Sequence, residues 1–411
     1  MMDKLFYSDS RTGRMLSYNH LLGDLNGASE YCRYCKTTDN YEVFRSIILS
    51  MLLGREIILL DADFTDEEVG RLTGDVDIRA KEKITLSNHL TEDNFPSELL
   101  SKTDTWQITL FTSGTTGLPK KVSHGYGSIA RQVRRDDRHK DDVWGFAYNP
   151  THMAGLQVFL QALLNRNSII RLFGLDSKAI VGEINAKGIS HISATPTFYR
   201  LLLPPSGVCP SVKRITSGGE KFDEHTLNQL KSLFPNAKFT NVYASTEAGT
   251  LFASKGNEFV VREEMKERLK VEGGELLIHK SLLGNSDSLR VDGEWYHTGD
   301  LVEIVSQNPL TFHFLSRNNE MINVGGYKVN PHEVEDCLRE CDGVIDAKVY
   351  GKANRIMGSI VLCDVVRSDS SVSEKAIIEA LRQKLQEFKI PRIIRFVEHL
   401  DVTRTGKISR K

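Results

Sequence analysis

The stretch Leu110–His124 reads LFTSGTTGLPKKVSH. An apolar run enters Thr112, Ser113, Gly114, Thr115, Thr116 and Gly117, and Lys120 and Lys121 follow. Glycines and small hydroxyl residues let backbone N–H and side-chain O–H groups close around oxyanions without steric obstruction, and a lysine adds a point charge. A phosphate-holding loop at the end of a strand is the expectation. The spacing of Gly114 and Gly117 is not that of a Walker loop, and taken alone the stretch also fits a Ser/Thr-rich surface turn. Outward from it, short β-branched runs alternate with helical stretches: WQITLFT before Tyr126 to Arg138, NSIIRLF before Ser177 to Ala186, and VKRITSG before Phe222 to Phe234. Strands separated by helices predict an α/β domain with mixed, largely parallel sheet.

Beyond Leu315 the pattern changes. Asn330, Pro331 and Glu333 supply an N-cap, a first-turn proline and a capping-box acid. The runs VIDAKVYG and SIVLCDVV read as strands, and Ser371 with Glu374 is expected to cap a helix carrying Ile377, Leu381, Leu385 and Phe388. The expected organisation is a large amino-terminal domain over residues 1–316 and a small α+β domain over 317–411, with a hinge near Asn319. Over the whole chain 53 Lys and Arg face 54 Asp and Glu, a net charge of -1, which argues against a general nucleic-acid binder. The most apolar stretch, Ile47 to Leu60, is interrupted by Arg55 and Glu56 and predicts helix, turn and strand, so no membrane span is expected. Six Cys in 411 residues do not make a disulfide scaffold, and no secretory leader is visible at the amino end; a cytoplasmic location follows as the expectation.

Five further segments follow in order: SGGE at Ser217–Glu220, YASTEAG at Tyr243–Gly249, YHTGDL at Tyr296–Leu301, LSRNNEMINVGGYKVNPHEVE at Leu315–Glu335 and TRTGKISRK at Thr403–Lys411. With the Leu110–His124 stretch, this series resembles the acyl-adenylate-forming superfamily of acyl-CoA synthetases, adenylation domains and firefly luciferase, over almost the whole chain. The resemblance implies an AMP-forming acid–thiol ligase using ATP, Mg2+ and coenzyme A, or the pantetheine arm of an acyl carrier protein. It implies that Thr112 to Gly117 and Lys120 hold phosphates, and that Gly218, Gly219, Glu220, Tyr243, Ala244 and Ser245 flank the adenine. Asp300 and Arg317 would reach the ribose, Thr246 the α-phosphate and Glu247 the metal, while Lys407 would stabilise charge on the attacking carboxylate. His152, Met153, Ala154 and Gly155 would line the acid pocket, and Gly325 and Gly326 would present side-chain-free backbone to pantetheine after rotation about Asn319.

Four departures from the family pattern stand out: Ala244 where glycine is usual, Lys121 where glycine is common, Asn319 at the hinge where Asp or Lys is usual, and a shorter region before the phosphate loop. Gly145 to Leu164 contains no Asp or Glu, which disfavours an α-amino acid substrate; the retention of Lys407, Glu247 and Asp300 disfavours a non-catalytic adenylate-binding protein. Luciferase-type oxidation is left open, as is carrier protein against coenzyme A, with coenzyme A preferred. His124 reads as either structural or functional. Cys32 and Cys35 form a CxxC without a second ligand pair, and core packing is preferred to a metal there. The mixed charge cluster Arg131 to Asp142 reads as a solvated helix face with no partner.

Overall fold

The computed structural model describes residues 3–74, 76–112, 119–219, 223–254, 256–289, 291–325, 327–354, 358–403 and 407–409. Among them the strands form one eight-stranded sheet ordered Gly249–Ser254, Lys238–Ser245, Arg214–Gly218, His191–Ala194, Val143–Phe146, Ser168–Arg171, Leu5–Asp9, Arg14–Ser17. Its six inner strands run parallel and both edges are closed by antiparallel partners. A second sheet pairs Tyr34–Lys36, Glu56–Leu60 and Gln107–Thr112 in parallel and adds Lys120–Gly125 antiparallel. The phosphate-loop segment is therefore the connection between two hydrogen-bonded strands, with Thr112 opposite Lys120.

The largest apolar core lies around the helices Asn40–Leu53 and Met153–Leu164, where Phe44 stacks on Phe159 at 4.4 Å between ring centroids. Asp39 caps the first of these helices, and Gly54, at φ +64°, ends it; a Cβ at Gly54 would come within 2.5 Å of Thr105 Oγ1. Ile57 to Leu60 then form a strand buried along its length, so the apolar run is helix, turn and strand as its charges foretold.

A third, antiparallel sheet is built around the long strand Trp295–Gln307 and its neighbour Leu310–Arg317. A fourth, around Val344–Asn354 and Gly358–Arg367, carries its own core running from Ile322 to Ile394, whereas no member of the third core lies beyond Phe314. No helix among the described residues is long and apolar enough to cross a membrane.

Three local expectations differ. Helix covers only Tyr126–Ile129 of the Tyr126 to Arg138 stretch, followed by a 3-10 turn at Asp137–His139. The Gln161 amide brackets the Arg134 backbone, accepting from its N–H and donating to its carbonyl, and the Arg131 guanidinium reaches the carbonyls of Ala248 and Leu282; these tertiary partners outcompete helix. Ser373, not Ser371, caps the helix Glu374–Arg382, and Leu385 and Phe388 pack on the small core from beyond its end. Glu333 takes both of its carboxylate oxygens to Lys389 instead of closing a capping box, while Asn330 caps as expected.

Candidate active site

The carboxyl end of the eight-stranded sheet collects most of the expected residues. Lys238–Ser245 turns through Thr246, Glu247 and Ala248 into Gly249–Ser254, and Gly249 takes φ +69° at the turn exit. Ala244 lies within the strand, opposite Thr250, without positive φ, so extended backbone accommodates the methyl group where the family has glycine. Ser245 Oγ accepts from the Ala248 N–H at 3.1 Å and fixes the turn.

Asp300 sits inside the strand Trp295–Gln307; it is 6% exposed and directly opposite Arg317 in register. Arg317 Nε donates to Asp300 Oδ1 at 3.0 Å, and the Tyr243 hydroxyl donates to Oδ2 at 2.5 Å. Burial, then the adjacent Asp300 carboxylate, raises the Tyr243 phenol well above its ordinary value, so it stays a donor. The Asp300 charge likewise holds Arg317 firmly protonated. One face of Tyr243 is stacked on Phe314 at 4.4 Å. Tyr296, quoted in the motif but assigned no role from sequence, belongs to the same cluster: its phenol is pushed up by burial and then by Glu247, with Arg317 pulling the other way. The Glu247 side chain makes no hydrogen bond or ion pair among the described residues.

Gly218 and Gly219 end the strand Arg214–Gly218. A Cβ on Gly218 would meet Val242 Cγ2 at 2.6 Å; Gly219, at φ +85°, would place one 2.8 Å from Lys407 Cε and 3.2 Å from Lys407 Nζ. A lysine near the end of the chain thus lies across the glycine turn, its own backbone held by Thr403 and by the Val402–Ile408 bridge. Ser113, Gly114, Thr115, Thr116, Gly117, Glu220 and Gly326 lie outside the described residues. Gly325 is exposed at a hairpin tip with φ +58°.

His124 is resolved by its contacts. It is 1% exposed; Nε2 lies 2.7 Å from the Thr246 carbonyl, and Nδ1 2.9 Å from Ser128 Oγ. A carbonyl only accepts, so Nε2 carries the proton, and burial lowers the imidazole pKa and keeps it neutral. It positions the turn that carries Thr246 and Glu247. Gly284 packs against the ring so closely that a Cβ would come within 2.5 Å of His124 Cε1.

At the expected acid pocket, His152 stands at the N-cap position of the helix Met153–Leu164 without a side-chain capping hydrogen bond. Met153 is buried in the main core, and Gly155 lets the Asn149 carbonyl approach, where a Cβ would stand 2.3 Å away. The neighbour that sequence reading missed is Asp61, just after the strand Glu56–Leu60: its Oδ1 lies 3.2 Å from His152 Nε2 and accepts from Thr151 Oγ1 and, at 3.3 Å, from Asn149 Nδ2. Asp61 is 5% exposed, and these local donors occupy it.

The model of the AMP-binding enzyme family matches residues 49–274, and that of the AMP-binding enzyme C-terminal domain matches residues 333–407. The chain belongs to the AMP-binding enzyme family, within the adenylate-forming superfamily. Among curated relatives, 4-hydroxybutyrate–CoA ligase 1 of Metallosphaera sedula is 28% identical over 349 residues, covering 74% of this chain but only 61% of that protein. A 2-succinylbenzoate–CoA ligase of Staphylococcus aureus is 25% identical over 390 residues, covering 87% of this chain and 78% of the relative. Among solved structures, o-succinylbenzoate CoA synthetase of Bacillus subtilis shares the fold with a TM-score of 0.73 in its acyl-adenylate complex, at 18% identity over 99% of this chain and 94% of the other. The same enzyme bound to ATP and magnesium gives a TM-score of 0.72 at 18% identity, over 99% and 95% of the two chains.

Proposed function

We propose that this chain is an AMP-forming acid–thiol ligase: a carboxylate attacks the α-phosphate of ATP, pyrophosphate leaves, and a thiol then opens the acyl-adenylate and releases AMP. The observation that carries the reading is the placement of Lys407 across Gly219, at the same sheet edge as the Tyr243–Asp300–Arg317 cluster. In this reading Asp300 uses its remaining lone pairs for ribose hydroxyls, and Arg317 and Tyr243 hold it in place. Lys407 meets the charge developing between carboxylate and α-phosphate, where positioning and electrostatics do most of the catalytic work. Glu247, with no competing partner among the described residues, fits a Mg2+ ion held mainly by phosphate oxygens, and that ion would offset triphosphate charge. Thr112 to Gly117 and Lys120 complete the phosphate site, with Gly218, Gly219, Glu220, Ala244 and Ser245 around the adenine.

The small domain, from about residue 317, moves about Asn319 between the two half-reactions and brings Gly325 and Gly326 to the pantetheine arm. Coenzyme A is the acceptor; the curated relatives named above are CoA ligases, and a carrier protein is the second reading. The acid lacks an α-ammonium group, because Gly145 to Leu164 supplies no carboxylate to pair one, and a buried cation without a partner is strongly disfavoured. Six free thiols suit a reducing cytoplasm. The test is pyrophosphate exchange screened over aliphatic, aryl and amino acids, followed by Lys407→Ala in each half-reaction. Exchange should be fastest with an acid lacking an α-amino group. Lys407→Ala should abolish exchange while sparing thioester formation from presynthesised acyl-adenylate, and equal loss in both halves refutes the assignment.

A further inference from the structure

The amino edge of the same sheet holds a second feature, built in part from the charge cluster that sequence alone left as a solvated face. The parallel strands begin in register there, His191 beside Arg214 and Arg214 beside Lys238. Gly218, at the far end of the strand from Arg214, is four residues or about 13 Å away at ordinary strand rise, so this edge is separate from the candidate active site. A cavity of about 380 Å3 opens here, lined by Arg134, Arg138, Lys213, Arg214 and Lys238. Arg138 pairs with Asp136 at 2.7 Å; the other four side chains make no ion pair among the described residues.

The cavity's one lining carboxylate, Asp142, is committed to its neighbours: it lies 2.8 Å from His139 Nδ1 and 3.5 Å from His191 Nε2. His191 is 5% exposed, its Nδ1 meets Ser190 Oγ at 2.9 Å, and its Nε2 makes no hydrogen bond. Burial pushes the His191 imidazole down to about 4; Asp142 opposes this, and Arg214, His139 and Lys213 add to it. His139, Asp142 and His191 bring three potential metal-ligand atoms within 4.8 Å of one another. A divalent cation would nevertheless enter a wall of five positive side chains, whereas an anion gains from every one of them.

We propose that this pocket binds an oligophosphate group, free or carried on a nucleotide. The origin of its cations on separate segments around one half-open cavity suits a compact polyanion and not a long nucleic-acid backbone. Each cation that reaches a phosphoryl oxygen should contribute about tenfold in affinity, and binding should weaken as salt is raised.

The experiment is calorimetric titration of the full chain with tripolyphosphate and, separately, with uridine diphosphate, comparing wild type with Lys213→Ala/Arg214→Ala and with Arg134→Ala/Lys238→Ala. All four substituted side chains are exposed, so both variants should fold and keep their pyrophosphate-exchange rate. Wild type should bind one equivalent of tripolyphosphate that both variants lose by at least tenfold, whatever else binds at the phosphate loop. Tighter binding of uridine diphosphate at the same site assigns the group to a nucleotide; equal or weaker binding assigns it to the free oligophosphate. Unchanged affinity in both variants overturns the proposal. So does a stoichiometric zinc ion lost in His191→Ala without oligophosphate binding, or an oligonucleotide bound there in preference to tripolyphosphate.

Discussion

Arg200 offers the most demanding test of how the two parts of the chain are held together. Four charges, three of them buried and Asp346 partly so, form a ring: Arg200 Nε lies 3.0 Å from Asp346 Oδ2, Arg339 Nε 2.9 Å from Asp346 Oδ1, Arg339 NH1 3.9 Å from Asp223 Oδ2, and Arg200 NH1 3.6 Å from Asp223 Oδ2. Arg200 and Asp223 belong to the large part, Arg339 and Asp346 to the small one. If the small domain swings away, Arg200 keeps Asp223 while Arg339 keeps Asp346, Asp336 and Glu335, so neither arginine is stranded without a carboxylate, the outcome that would make separation prohibitive. A latch of this kind can open.

In Arg200→Ala, Asp346 still accepts from Arg339 Nε and from the Ala347 N–H, and Asp223 still accepts from the Thr226 N–H and hydroxyl, so the variant should fold. What is lost across the interface is one charge-assisted hydrogen bond, worth about 1.5–3 kcal/mol, or about 10- to 150-fold in the docking equilibrium. Pyrophosphate exchange should fall, thioester formation from preformed adenylate should hold or rise, and interdomain energy transfer should report the loss of the docked population. A double-mutant cycle with Asp346→Ala should give a coupling of about 1.5 kcal/mol or more; coupling below about 0.5 kcal/mol, or equal loss in both halves, refutes the latch. Its pH dependence has a fixed sign. Burial pushes the Asp223 carboxyl up, but Arg339, the Thr226 N–H and Arg200 outweigh it and hold it below its ordinary 3.8, so the contribution is complete above about pH 4 and is lost as pH falls further.

His124→Ala should leave the Thr246 carbonyl unsatisfied and cost about 1–3 kcal/mol in stability, with adenylation falling too; Gln, which retains an N–H donor, should recover part of both. Because the folded-state imidazole titrates below its ordinary 6.5, its stabilisation is complete above that value and declines as pH falls through it, so a melting-temperature series should show a steeper acid decline in wild type than in His124→Gln. Asp300→Asn should raise the KM for ATP by about tenfold in steady-state kinetics, since Arg317 loses its anionic partner and the ribose a charged acceptor; an unchanged KM would remove Asp300 from the nucleotide site. Cys32 Sγ donates to the Ile78 carbonyl at 3.2 Å, and burial pushes the Cys35 thiol up to about 12. Elemental analysis should therefore find no stoichiometric zinc, and Cys32→Ser/Cys35→Ser should keep its exchange rate.

What was legible in the sequence was local. The β-branched runs ending at Gly218 and Thr112 became strands, and Asn330 became the cap its neighbours announced, because hydrophobic period and capping are decided within a few residues. Tyr126 to Arg138 failed as a helix because its competing partners, Gln161, Ala248 and Leu282, lie far along the chain. The same distance hid Asp61 behind His152 and the Thr246 carbonyl behind His124. Asp300 and Arg317 could be named from their motifs, but that they face each other follows only from the register of two long strands.

The two edges of the parallel sheet face opposite electrostatic conditions, and the residues at each follow from that. At the carboxyl edge the helices Pro196–Arg200 and Glu224–Leu233 begin, capped by Thr195 and Asp223, and unpaired N–H groups with the positive end of the helix dipole lie there. Glycines and hydroxyl residues are enough to build an anion site on such ground, and in the proposed reaction Lys407 would supply the charge that differs between the two half-reactions. At the amino edge the helices Ser177–Lys187 and Glu224–Leu233 deliver their carboxyl ends. A cation or two there is explained by the dipole alone; five around one cavity are not. An anion held at that edge must be bound by side chains, so it should be far more sensitive to Lys and Arg substitution than nucleotide binding at the opposite edge, where backbone carries more of the load.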